Sequence, residues 1–184
     1  MNITYYSGSW KQLLRDPHPR LGWMLQPRDG TLPRLGIRFA LDNDGFLGFH
    51  AHPFFRRCDR IARTGERPEF VVAPDIFAGG ERSADLSYAY REQLLGYGWP
   101  VYFVVQDGMS LPFVEALIAD WNGIFVGGTD SYKLGTLWQW PALGKLVHCG
   151  RVNSVKRLRY AERCGCFSAD GTCLTRWGRA SSVG

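Results

Sequence analysis

The sequence predicts an α/β fold of repeated βα units, either a compact (β/α)8 TIM-like barrel or an open doubly wound parallel sheet. Three observations carry that prediction. Short, β-rich apolar runs recur along the chain, polar or glycine-rich turns follow them, and helix-like stretches usually separate one run from the next. Most runs are continuously apolar rather than alternating, the pattern of strands buried on both faces of a parallel sheet. At 184 residues the chain lies near the lower limit for the barrel, so length alone leans toward the open sheet.

Seven strands are read in order: ITYYS near Ile3, IRFAL before Asp42, EFVVA before Pro74, VYFVVQ ending at Gln106, GIFVGG around Phe125, KLVHCG around Val147 and, more weakly, CFSA before Asp170. Helices fall between them. One spans Ser83 to Leu95, and another is capped by Ser110 and carries Phe113, Val114, Leu117 and Ile118 as an apolar stripe. A third starts at Asn153 or Ser154 and carries Val155, Leu158 and Ala161. The stretch 15–38, with Pro17, Pro19, Pro27 and Pro33 among arginines, reads as a long irregular loop of the kind that often carries function. Residues 179–184 read as a flexible tail, and the whole chain, 1–184, as one domain.

Lys and Arg outnumber Asp and Glu by 22 to 17, a net charge of +5 that suits a phosphate backbone if it is gathered on one face. Two clusters stand out: Arg56, Arg57, Arg60 and Arg63, and later Lys156, Arg157, Arg159 and Arg163. Either reads equally as a solvated helix face. The 26 aromatic residues, seven Trp, eight Tyr and eleven Phe, serve a core first and base stacking second. Five cysteines, an odd number, and a start MNITYYSGSWK without basic and apolar leader regions point to a reducing cytoplasm. No apolar run approaches the roughly 20 residues that cross a bilayer. No G-x-G-x-x-G or P-loop follows any strand, which argues against a dinucleotide or nucleoside-triphosphate site.

In a parallel α/β fold the chemistry sits just past the C-terminal ends of the strands. Those positions here are Asp42, Asp75, Gln106, Asp107, the Gly127-Gly128 pair and Asp170. One such aspartate alone can simply cap a helix or hold a turn. Several around one mouth push each other's pKa values apart, separating a nucleophile from an acid/base, which is what glycosidic chemistry needs.

In order and spacing these motifs resemble those of the tRNA-guanine transglycosylase superfamily, and especially its DNA-modifying 7-deazaguanine branch. The resemblance runs from about Ile37 to Arg179. LDNDGF at 41–46 is similar to the family's Asp-Ser-Gly-Gly-aromatic motif, which implies Asp42 as general acid/base, with Asp44 as competitor, and Phe46 as the ring stacked on the base. VVAPD at 71–75 and YFVVQDG at 102–108 resemble the base-reading segments, implying that Asp75 and Gln106 grip guanine's edge. IFVGGTD at 124–130 resembles the Gly-Gly-Leu strand end, where the amides of Gly127 and Gly128 approach the base. The segment from Leu146 to Arg176 resembles the one that leads to the family's Asp-Cys-Val-x-Pro-Thr-Arg nucleophile motif. Gly165 and the Thr175-Arg176 pair keep register around Asp170 as the nucleophile, and Val147 or His148 forms the second face of the pocket.

The resemblance implies a TIM-like barrel that replaces guanine in a polynucleotide by 7-cyano-7-deazaguanine (preQ0) or a relative, without ATP or a redox cofactor. Relatives acting on tRNA carry a Cys-x-Cys-x-x-Cys plus His zinc site beyond the nucleophile, and its absence here shifts the expected partner toward DNA, with tRNA the alternative. Cys164, Cys166 and Cys173, with His148, have a different spacing and read better as buried thiols than as zinc ligands. A non-catalytic nucleic-acid-binding subunit would have lost the nucleophile, and Asp170 and Asp42 are both present. The sequence leaves a homodimer open.

Overall fold

The computed structural model describes residues 3–15, 17–33 and 36–172. Eight parallel strands close into a barrel in sequence order: β1 (Thr4–Ser7), β2 (Leu21–Leu25), β3 (Phe39–Leu41), β4 (Val71–Val72), β5 (Val101–Val105), β6 (Gly123–Val126), β7 (Leu146–Cys149) and β8 (Ser168–Gly171). Closure is explicit in the pairing of β8 with both neighbours, with Thr4 opposite Ser168 and Ser7 opposite Gly171 on one side and His148 opposite Ser168 on the other. Of the two predicted architectures, the chain therefore forms the barrel.

Brevity makes this closure compatible with the chain length. No strand exceeds five residues, and the helices α1 (Trp10–Arg15), α2 (Ala51–Ala62), α3 (Glu81–Ala89), α4 (Arg91–Leu95), α5 (Leu111–Leu117), α6 (Asp130–Thr136) and α7 (Val155–Arg163) are mostly of one to three turns. The caps follow the sequence: the Ser110 and Ser154 hydroxyls accept from the amides of Phe113 and Arg157. The single helix read over Ser83 to Leu95 is broken at Tyr90 into α3 and α4. Among the described residues, no helix is long and apolar enough to cross a membrane.

One expectation is corrected. The stretch 15–38 is not irregular throughout, because LGWML within it forms β2, between β1 and β3. Flanking prolines and the internal Gly22 hide it. That glycine has a packing reason, since a Cβ there would lie 2.6 Å from the buried Tyr6 ring, just as one at Gly123 would lie 2.5 Å from the Tyr102 ring. Tyr6, Phe70 and Tyr102 fill the interior, with Phe70 and Tyr102 stacked at 4.3 Å. Below them, at the N-terminal ends of the strands, the Tyr6 hydroxyl donates to Glu69, which also pairs with Arg38 at 2.6 Å. The predicted tail 179–184 lies outside the described residues.

Candidate active site

At the C-terminal end of β3, the run Asp42-Asn43-Asp44-Gly45-Phe46 folds back sharply. Asp44 takes a left-handed conformation (φ 63°), which aspartate tolerates better than most residues. Asn43 is buried and ties its own turn to the segment after β4: its Nδ2 donates to Asp75 Oδ1 at 2.6 Å and to the Ala73 carbonyl, and its Oδ1 accepts from the Gly45 amide at 2.6 Å. Gly45 is obligatory there, since a Cβ would stand 2.1 Å from Asp75 Oδ1. The turn leaves Asp42 on the floor of a cavity and lifts Phe46, 57% exposed, to its rim.

Asp75, beyond β4, is buried, with one oxygen held by Asn43 and the other by Gln106 Nε2. Gln106, at the end of β5, is itself fixed, its Oε1 accepting from the Ala78 amide at 3.0 Å. Asp107 has a different role. It accepts from the amide and hydroxyl of Thr129 and so holds the turn between β6 and α6. Gly127 and Gly128 line the cavity, and the Gly127 amide donates to the Val105 carbonyl at 3.0 Å.

Asp170 lies in β8. Its Oδ1 is 2.9 Å from His148 Nε2 and accepts from the Arg151 amide at 3.2 Å; no hydrogen bond engages Oδ2 among the described residues. His148, fully buried in β7, is oriented through Nδ1 by the Ser168 hydroxyl at 2.8 Å. With Nε2–H donating to the carboxylate, Nδ1 is free to accept that hydroxyl proton. Gly171 lets the loop after β7 cross tightly, as a Cβ there would meet the Val152 carbonyl oxygen at 2.4 Å.

Asp42, Asp75 and Asp170 all line one cavity of about 430 Å³, together with Gln106 and the rings of Phe46, Phe77 and Phe125. Burial, and then the charges of Asp170, Asp44 and Asp75, push the Asp42 carboxyl up to about 7. Burial likewise pushes Asp75 up to about 6, against the hydrogen bonds from Asn43 and Gln106. Asp44, the other candidate acid, is tied to Arg28 at 2.7 Å. Lys133 is buried at the wall, donating to the Gly150 carbonyl at 2.8 Å and lying 3.3 Å from Asp130.

The barrel thus gathers Asp42, Asp75, Gln106, Gly127, Gly128, Phe46 and Asp170 around one space. His148 is placed otherwise, beneath Asp170, while Phe125, stacked on the His148 ring at 4.8 Å, lines the cavity. Asn43, Phe77, Phe125, Lys133 and Arg151 are the members that no sequence motif singled out. Arg151, left-handed at φ 59°, holds its guanidinium 4.1 Å over the Phe46 ring. Only its place in the turn after an apolar run could have flagged it. Among the described residues no group of three or more His, Cys, Asp or Glu side chains could hold a metal; Cys173 and the Thr175-Arg176 pair lie outside those residues.

The fold and cavity define a small (β/α)8 barrel with a carboxylate-rich mouth. No protein-family model matches the chain, and no curated protein matches it.

Proposed function

We propose that the chain is a base-exchange transglycosylase that replaces guanine in DNA by a 7-deazaguanine, preQ0 or a relative, through a covalent aspartyl-sugar intermediate. The observation that carries this reading is the pairing of two unlike carboxyls across one cavity. Asp170 has one oxygen anchored by His148 and the Arg151 amide, and Asp42 has its pKa raised to about 7. A fixed carboxylate is a nucleophile, and a carboxyl that stays protonated near neutrality is an acid.

In the proposed sequence, a deoxyguanosine unit is flipped into the cavity and Asp170 Oδ2 attacks C1′ while the bond to N9 breaks. The electron pair of that bond leaves with guanine, and the Asp42 proton neutralises the departing base. The incoming 7-deazaguanine then gives its N9 proton to the Asp42 carboxylate and attacks C1′, and Asp170 is released as carboxylate. Both carboxyls end as they began. An ionised Asp75 accepts from guanine N1–H and the 2-amino group, while the remaining Gln106 amide hydrogen suits O6, a pattern adenine does not offer. Phe46, Phe77 and Phe125 provide faces for stacking.

The test is incubation of the purified chain with duplex DNA, single-stranded DNA and tRNA, each with labelled guanine or preQ0, followed by mass spectrometry of the nucleosides. Incorporation into DNA is expected, with the label lost in Asp170→Asn. Equal incorporation into tRNA would remove the DNA assignment, and no incorporation into any polymer would remove the transglycosylase reading.

A further inference from the structure

The active-site cavity continues into a groove on the barrel's side. Next to it lies a hollow of about 360 Å³ that shares Asn43, Asp44 and Leu47 with it and adds Arg28 and His50. Beyond that, a hollow of about 390 Å³ is bounded by Arg28 and Asp29 on one wall and Arg56, Arg57 and Arg60 on the other. Pro27, Arg28 and Pro53 belong to both hollows, so the hollows adjoin in series from the carboxylates to the arginines.

Pro53, Arg56, Arg57 and Arg60 are spaced i, i+3, i+4 and i+7 on α2 and so share one helix face. Arg57 is buried and serves the structure: its Nε and Nη1 donate to the carbonyls of Pro27 and Thr31 at 3.2 and 3.1 Å, fastening the loop between β2 and β3 as the opposite wall. Arg56 and Arg60 are exposed, and among the described residues neither has an acidic partner. Arg28 stands at the junction, paired with Asp44. The one carboxylate in the outer hollow, Asp29, is half-buried and accepts from the Gln26 amide. The other basic cluster, on α7, is partly neutralised, since Arg157 pairs with Asp130 at 2.8 Å.

We infer that this groove is the track for the sugar-phosphate backbone beside the flipped nucleotide, with Arg56 and Arg60 each meeting a phosphate and Arg28 meeting the one nearest the mouth. Like charges gathered on one helix face repel until an anion lies between them, and a phosphate chain supplies one anion per step. The four-residue separation of Arg56 and Arg60 is a rise of about 6 Å, comparable with one step of an extended strand. The inference deepens the transglycosylase reading and rests on it for the identity of the polymer.

The experiment measures binding without chemistry. Fluorescence anisotropy of a labelled 20-nucleotide strand is followed against salt for the wild type, the double variant Arg56→Gln/Arg60→Gln, and the control double variant Lys156→Gln/Arg159→Gln. Each phosphate contact contributes about 0.7 to the slope of log K against log salt for a single strand, so the α2 variant should lose about 1.4 from the slope and bind about tenfold more weakly at low salt. The α7 control should keep its slope. An unchanged slope in the α2 variant, or an equal loss in the control, would overturn the track. Because the readout is binding, a chain that exchanges no base yet loses the slope refutes the enzyme and keeps the track, and the opposite result refutes only the track.

Discussion

The two ends of the barrel use the same chemical groups in opposite ways. At the N-terminal end, Glu69 meets the Arg38 guanidinium and the Tyr6 hydroxyl, so its charge is matched on two sides. At the C-terminal end, Asp42, Asp75 and Asp170 crowd one cavity, and the carboxyl of Asp42 rises to about 7 under burial and its acidic neighbours. A matched carboxylate holds a fold together, whereas crowded ones cost stability and become reactive. The difference teaches where to look for chemistry in a barrel without a bound ligand.

The largest expected effect is at the mouth. Asp170→Asn should lower base exchange by at least about 10³-fold in single-turnover assays while leaving oligonucleotide binding unchanged; retained activity would break the contrast at its centre. Asp42→Asn should cost about 10²-fold or more in exchange. In the wild type, cleavage needs Asp42 protonated, so its rate should fall as pH rises through about 7, a limb that the variant lacks.

The same raised pKa bears on stability, with a definite sign. The unfolded chain loses the Asp42 proton near about pH 4, but the folded chain holds it to about 7. The favourable contribution is therefore complete below about pH 4 and lost as pH rises to about 7. Asp42→Asn should accordingly raise the melting temperature at pH 8 and do little at pH 4, with differential scanning calorimetry as the check. A variant less stable than wild type at pH 8 would contradict the strained-mouth reading.

Smaller effects are expected at the closed end. Gly22→Ala forces a methyl against the Tyr6 ring and should cost about 1–3 kcal/mol in urea unfolding. Tyr6→Phe removes one hydrogen bond from Glu69, which keeps Arg38, and should cost about 1 kcal/mol. Neither should alter exchange under conditions where the protein stays folded. A large activity loss in either would mean that the two ends are coupled.

Much of the fold was legible because its signals are local. Apolar runs, Ser110 and Ser154 as caps, and the aspartates after β3 and β4 can be read from neighbours in the chain. Strand β2 escaped because its glycine answers to the Tyr6 ring on the neighbouring strand rather than to strand propensity, and the flanking prolines read as loop. At the site, the positions that follow apolar runs were found, but Asn43, Phe125 and Lys133 were not, because their roles are defined by Asp75, His148 and the Gly150 carbonyl, contacts made only when neighbouring strands pair.

What the sequence determined by itself was therefore the periodic alternation of strands and helices and the placing of acids at strand ends, since both depend on residues adjacent in the chain. Barrel closure, the fastening of Asp170 by His148 and the elevation of Asp42 were decided by the tertiary structure. Strand pairing, desolvation and the repulsion of like charges act through space, between residues that the sequence keeps far apart.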